Sequence, residues 1–226
     1  WNLDVVLQCG STPGFFMPNP KNWKNGPLIL WNPDGLEWKR GKFPLHGRLL
    51  LWASTKRGIA LSHAVTIDSR AIAKHLASWI GNKDVYFLPS GAETVNSGKI
   101  DSSLLEEFGI HEKEYYLLVA RAAPENHLRE ILEWFISARS TRKLVLLTNI
   151  GNDKYSRELT SVMEKYPKKI IYRGPLYEKD KLESLRFHAY AYFHGHSVGG
   201  TNPSLLESLA AGCPPICWDV SFNREV

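Results

Sequence analysis

Several signatures are missing from this sequence, and each absence removes a class of chemistry. There is no Walker-type loop and no G-x-G-x-x-G after a strand-like segment, so kinase, ATPase and dehydrogenase readings lose their phosphate cradle. No Gly-x-Ser-x-Gly elbow occurs, which argues against a hydrolase of that design. Cysteine is scarce and odd in number: Cys9, Cys213 and Cys217. That suits a reducing compartment better than a disulfide scaffold, and the apolar context of Cys213 and Cys217 marks them as core thiols. No apolar run is long enough to span a bilayer, and no signal-peptide pattern is present. The chain starts at Trp1 and stops at Val226 soon after a strand-like segment, so both ends read as cut and the missing targeting segment weighs little.

What is present describes an ordinary globular chain. Its 226 residues allow one large or two small domains, and 43% hydrophobic content is too high for disorder. The net charge is +5 and the pI about 9.0. Such a balance admits an acidic partner, whether nucleic acid, anionic membrane or phosphorylated substrate, and equally a solvated surface with a mild excess. No RNA-binding aromatic signature accompanies it, so no nucleic-acid partner is expected.

Periodicity and turn residues organise the chain. Strands are expected at Leu3–Gln8, Pro27–Asn32, His63–Asp68 and Asp84–Leu88, with a Gly/Pro-rich loop over 10–26 and helices at Leu49–Leu61 and Ser69–Trp79. A polar linker spans Gly91–His111, with one short helix near Ser103–Phe108. From Tyr115 the pattern is a strict strand–helix alternation. Strands fall at Tyr115–Ala120, Lys143–Asn149, Lys169–Arg173, Ala189–Phe193 and Pro215–Trp218. Helices fall at Glu125–Ala138, Asp153–Tyr166, Glu178–Arg186 and Ser204–Gly212. Alternation of this kind predicts an α/β protein with parallel, doubly wound sheets. Two Rossmann-like units are expected, residues 1–93 with the N-terminal part incomplete and residues 94–226. Ligands in such sheets bind beyond the carboxyl ends of the strands.

One stretch lies at such an end: His194-Gly195-His196-Ser197-Val198-Gly199-Gly200-Thr201-Asn202-Pro203-Ser204-Leu205-Leu206-Glu207. A buried strand precedes it and a helix follows, with Asn202 suited to the N-cap, Pro203 to the first turn and Gly212 to the C-terminal cap. A Gly-rich loop running into a helix N-terminus is an anion site, most often for phosphate. Glu207, a turn inside the helix, suits hydroxyls rather than phosphate. Phosphate plus hydroxyls suggests a nucleotide or a sugar nucleotide.

Three further constellations stand out. Arg121 follows a strand and is either a surface charge or a phosphate clamp opposite that loop. Asp34, Glu37, Lys39 and Arg40, flanked by Trp31 and Trp38, form either a solvated turn or a carbohydrate-binding patch. Lys39, Arg40, Lys42, Arg48, Lys56 and Arg57 form a basic run that either faces anionic lipid or is simply solvated. His194 and His196 share a face, yet no further ligands at metal-binding distances are evident, so no metal is expected.

At this point the chain resembles the retaining glycosyltransferases of family 4, with their two-Rossmann GT-B fold, and more narrowly their bacterial rhamnosyltransferase-like branch. The resemblance is carried by Asp34-Gly35-Leu36-Glu37-Trp38-Lys39-Arg40-Gly41-Lys42, Ala120-Arg121 with Pro124-Glu125-Asn126, the 194–207 stretch, and Phe222-Asn223-Arg224-Glu225-Val226. It implies metal-independent transfer of a sugar, rhamnose or another hexose, from a nucleoside diphosphate sugar to a glycan or lipid-linked acceptor in bacterial polysaccharide synthesis. No cofactor is implied beyond the donor substrate. It places the protein in the cytoplasm, with peripheral contact at the inner face of the plasma membrane.

The resemblance also implies residue roles. Arg121 matches the family's diphosphate-binding arginine and Glu207 the second glutamate of its paired motif, which holds the ribose. Gly199 stands where the first glutamate falls, and Asn126 where a lysine usually completes the clamp. Sugar contacts then fall to backbone N–H groups or to Ser197, Thr201 and Asn202. The implied catalytic set is Arg121, Asp34 and Glu207. The implied donor set is Asn126, His194, Ser197, Gly199, Gly200, Thr201, Asn202 and Glu207. The acceptor set is Asp34, Glu37 and Trp38. Two other readings stay open: a nucleotide-sugar epimerase on the same fold, and a non-catalytic sugar-nucleotide-binding module.

Overall fold

The computed structural model describes residues 3–17, 19–20, 25–96 and 100–226. Parts of two expected segments, residues 18 and 21–24 of the 10–26 loop and 97–99 of the linker, lie outside the described residues. The chain divides into two compact units. Unit 1 comprises residues 1–90, 198–201 and 220–226, and unit 2 comprises 91–197 and 202–219.

Unit 1 holds a four-stranded parallel sheet of β1 (Val5–Cys9), β2 (Leu28–Asn32), β3 (Ala64–Ile67) and β4 (Val85–Phe87), in that spatial order. Helix α1 (Leu45–Leu61) joins β2 to β3, and α2 (Arg70–Ile80) joins β3 to β4. Right-handed crossovers between strands that advance in one direction put every connection on one face. The core therefore forms mainly on that face, from Ile29, Trp31, Val65 and Ile67 of the sheet and Leu51, Ile59, Ile72 and Leu76 of the helices. Trp31 is fully buried against Gly58 of α1, where a Cβ would collide with the indole ring. On the other face Val5, Leu7, Leu28 and Tyr86 remain about half exposed.

Unit 2 holds five parallel strands: β5 (Tyr115–Val119), β6 (Lys143–Leu147), β7 (Ile170–Tyr172), β8 (Ala191–His194) and β9 (Pro215–Cys217), ordered β7-β6-β5-β8-β9. The direction of advance reverses at β5, so the crossovers fall on both faces. Helices α4 (Leu128–Ser137) and α5 (Lys154–Lys165) bury Leu128, Leu132, Phe135 and Leu159 against Leu118, Leu144 and Leu146. On the opposite face α3 (Ser103–Phe108) and α6 (Lys179–His188) bury Leu104, Phe108 and Leu185 against Leu117, Val145 and Tyr192. Helix α7 (Pro203–Ala210) completes the unit.

Two expected boundaries shift for local reasons. The helix expected over Glu125–Ala138 is broken: a 3-10 turn covers Pro124–Asn126, His127 adopts φ 51°, and α4 starts at Leu128. Helix α1 starts four residues before its expected boundary, at Leu45 directly after Pro44. Asp153 and Asn202 cap α5 and α7 through side-chain acceptors. Past α7, Gly212 takes φ 69°, the left-handed exit that glycine permits.

Candidate functional site

The reversal at β5 opens a crevice between the carboxyl ends of β5 and β8, where open α/β sheets bind ligands. A cavity of about 300 Å³ lies there, lined by Val119, Ala120 and Arg121 after β5, Leu147, Thr148 and Asn149 after β6, Pro175, Leu176 and Tyr177 after β7, and His196, Asn202 and Ser204 after β8. A larger groove of about 910 Å³ follows the flank of edge strand β7, between Lys143 and Arg173. The smaller cavity gathers the ends of four strands and is the stronger site.

Arg121 is exposed and reaches this cavity from a rigid turn. Asn126 is buried, and its Nδ2 donates to the Arg121 carbonyl at 2.9 Å. The loop after β8 locks onto the same turn. Ser197 donates to the Glu125 carbonyl from its backbone N and its Oγ, both at 3.0 Å. Its hydroxyl also pairs with His127 Nε2 at 2.9 Å. A Cβ on Gly195 would collide with the Asn126 carbonyl, which is why that position is glycine.

Beneath the cavity lies a polar network. The Tyr192 hydroxyl donates to the Val119 carbonyl at 3.0 Å and meets Ser204 Oγ at 2.6 Å. Buried Arg186 donates to Ser204 Oγ at 3.1 Å and pairs with Glu207 at 2.6 Å. Burial pushes the Tyr192 phenol up to about 12, so it stays a neutral hydrogen-bonding group. Thr148 lines the cavity, and its Oγ1 is buried with no hydrogen-bond partner among the described residues. An unsatisfied buried hydroxyl in a cavity wall calls for an explanation, and a ligand's polar atom is one.

The expected residues separate into distinct roles. Arg121 and Asn202 line the cavity. Asn126 and Ser197 are committed to the scaffold around Arg121, a positioning duty rather than open donor capacity. His194 is 1% exposed, faces away from this cavity and stacks on His196 with ring centroids 4.5 Å apart. Burial, and then His196, lower its pKa to about 3, so it is a neutral imidazole. Glu207 keeps a half-exposed carboxylate, one oxygen of which holds Arg186. Gly199, Gly200 and Thr201 pack within unit 1: a Cβ on Gly35 would collide with the Gly199 backbone, and Thr201 Oγ1 lies 3.4 Å from the Asp68 carbonyl.

The α7 N-terminus also differs from its expected form. Asn202 Oδ1 accepts from Ser204 N, the Asn202 carbonyl accepts from Leu205 N and Leu206 N, and Pro203 has no N–H. The first-turn donors are therefore engaged, leaving the helix dipole and Arg121 as the attraction for an anion.

In unit 1, Asp34 is exposed at the end of β2 with φ 59°, its N–H donating to Asn32 Oδ1 at 2.7 Å. A non-glycine residue in the left-handed region stores strain and marks a place worth function. Glu37 pairs with Arg40 at 2.7 Å. Trp38 corrects its expected role. It is buried in the core against Trp79, with centroids 5.4 Å apart, because the 3-10 turn over Glu37–Lys39 points it inward. It offers no platform for a sugar.

The sequence does not single out Thr148, Pro175–Tyr177 or Ser204 as site residues. The rule that strand carboxyl ends bind ligands already points to the loop after Asn149 and extends to the loop after β7; the orphan state of Thr148 is not legible in the sequence. Among the described residues no cluster of His, Cys, Asp or Glu is arranged to hold a metal ion.

No family model and no curated protein matches the chain. Solved structures do. Anabaena HepE, solved with UDP-glucose, matches with TM-score 0.77 at 11% identity over 98% of this chain and 61% of that one. The pneumococcal O-GlcNAc transferase GtfA, solved with UDP and GlcNAc, gives 0.62 at 13% identity over 88% of this chain and 39% of that one. The N-terminal domain of Candida albicans trehalose-6-phosphate phosphatase gives 0.64 at 14% identity, covering 94% and 55%. The chain thus has the two-sheet fold of GT-B glycosyltransferases, and it spans about 40 to 60% of the length of these structures.

Proposed function

We propose that the chain belongs to a retaining, metal-independent glycosyltransferase that moves rhamnose or another hexose from a nucleoside diphosphate sugar to a glycan or lipid-linked acceptor in bacterial polysaccharide synthesis. The observation that carries this reading is the cavity at the reversal point of unit 2. There an exposed arginine on a braced turn, an orphan threonine hydroxyl and a helix N-terminus converge. That set suits a diphosphate, and the fold neighbours solved with UDP or UDP-glucose favour it.

In this reading Arg121 holds the diphosphate and neutralises the charge that grows on it as the anomeric bond breaks, helped by the α7 dipole. Thr148 offers its unpartnered hydroxyl to a phosphate, and Glu207 holds the ribose with Arg186 fixing its carboxylate. Tyr177, 83% exposed at the cavity mouth, gives the base an aromatic face. Asp34 and Glu37 serve the acceptor.

Product analysis tests the reading. The protein is incubated with a panel of nucleoside diphosphate sugars, with and without glycan acceptors. A glycosylated acceptor plus free nucleoside diphosphate is the expected result. An isomerised sugar nucleotide formed without acceptor would establish the epimerase instead, and binding without any turnover the non-catalytic module.

A further inference from the structure

We propose that unit 2 carries a second binding site, a pocket for a compact organic ammonium ion between α4 and strands β8 and β9. A cavity of about 330 Å³ lies there. Its walls include Glu130 and Trp134 of α4, His194 at the end of β8 and Trp218 just past β9, with Ile131 and Ile216 beside them. It shares no lining residue with the cavity that holds Arg121. Its size is at the small end of ligand pockets, which run from about 300 to 1,000 Å³.

The chemistry of the walls selects a cation. Two indoles, Trp134 and Trp218, border one small pocket, and each is at least 37% exposed. Indole faces attract cations, and more strongly where water is displaced. The lining contains one carboxylate, Glu130, and no lysine or arginine. Arg129, next in sequence, is committed to Glu133 and Glu158. An anion is therefore repelled here and a cation is not.

His194 supplies the second, independent sign. It is 1% exposed, and both its ring nitrogens are buried with no hydrogen-bond partner among the described residues. An unpartnered buried imidazole in a cavity wall calls for an explanation, and a ligand's N–H is one. Burial, and then His196, keep this ring neutral. A neutral imidazole has one nitrogen free to accept from an ammonium N–H and adds no charge to repel it.

The walls are also fixed in advance. Trp218 stacks on His127 with ring centroids 3.8 Å apart and planes 3° from parallel. His127 Nε2 in turn meets Ser197 Oγ at 2.9 Å. Trp134 stands edge-on to buried Phe193, with centroids 5.6 Å apart. Glu130 Oε1 lies 3.6 Å from His127 Nδ1, and its side chain is half exposed, which leaves the carboxylate open to a ligand. A preformed aromatic wall lowers the ordering cost of binding.

Calorimetric titration with three probes of one shape tests the inference: phenethylammonium, the neutral phenethyl alcohol and the anionic hydrocinnamate. Phenethylammonium binds with a Kd of about 1 mM or below. The alcohol binds roughly tenfold more weakly, and hydrocinnamate does not bind. Glu130→Gln and Trp134→Ala each weaken phenethylammonium by about tenfold, with melting curves showing that both variants fold. Should either not fold, the order of the three probes on the unsubstituted protein decides. The N-trimethyl derivative of phenethylammonium keeps the charge and has no N–H; it binds more weakly than the parent, and equal binding overturns the part given to His194. Equal affinity for the alcohol, or no binding of phenethylammonium, overturns the whole, as does a dimer in solution that Trp134→Ala dissociates. The inference does not rest on the proposed function: nucleoside diphosphate binding without phenethylammonium binding sinks this site alone, and the converse sinks the nucleotide reading alone.

Discussion

The two sheets differ in the direction their strands advance, and most of the site follows from that difference. In unit 1 the order β1-β2-β3-β4 never reverses, so both crossover helices lie on one face and β1, β2 and β4 keep half-exposed residues on the other. In unit 2 the order reverses at β5, helices cover both faces, and every residue of β6 after Lys143 is buried. The reversal does two things at once: it closes the core and it parts the connections above β5 and β8 into a crevice. The better packed unit thus also carries the cavity described above.

Matched truncations test the packing half of this comparison and carry the largest expected effect. Leu146→Ala in unit 2 should cost about 2–5 kcal/mol in urea-induced unfolding, since it empties a fully buried position. Leu7→Ala in unit 1, about half exposed, should stay within about 0.5 kcal/mol. Similar costs at the two positions would mean that the bare face of unit 1 is covered in solution.

The scaffold around the cavity comes next. Gly195→Ala forces a methyl group into the Asn126 carbonyl and should destabilise unit 2 by about 1–3 kcal/mol while loosening the Arg121 turn. A variant with unchanged melting and unchanged nucleotide affinity would contradict the bracing described for that turn.

The third test is a divergence with pH. In unit 2 the folded pKa of His194, about 3, lies below its unfolded value. The unfolded chain therefore takes up the proton first, and stability present above about 6.5 is lost as pH falls toward 3, by at most about 1.4 kcal/mol per pH unit. In unit 1 the sign is opposite at Asp68, whose pKa is raised by burial and then by Asp34 and Glu225. The folded state holds that proton longer, so this group costs stability as pH rises through the carboxylate range. Hydrogen exchange resolved by segment, compared between pH 4 and neutrality, should show unit 2 weakening on acidification. His194→Phe should flatten its response.

Much of this fold is legible in the residues. The alternation after Tyr115, the caps Asp153 and Asn202 and the exit at Gly212 are local signals, and the structure keeps them. Arg121 was visible as an arginine at a strand end. Less legible were features that depend on partners distant in sequence. Nothing near Trp38 shows that Trp79 lies beside it. Ser197 and Asn126 fit phosphate as residue types; only the packing of loop on turn shows their hydrogen bonds already engaged.

The account stands most directly on Arg121. Calorimetric titration of the unsubstituted protein with UDP, GDP, dTDP and ADP should find at least one that binds. Arg121→Ala should weaken that nucleotide by roughly ten- to a hundredfold, the worth of one charge-assisted contact, with its melting temperature unchanged because the side chain is exposed. Equal affinity in the variant, or no binding by any of the four, would contradict the claim that this cavity is a nucleoside diphosphate site.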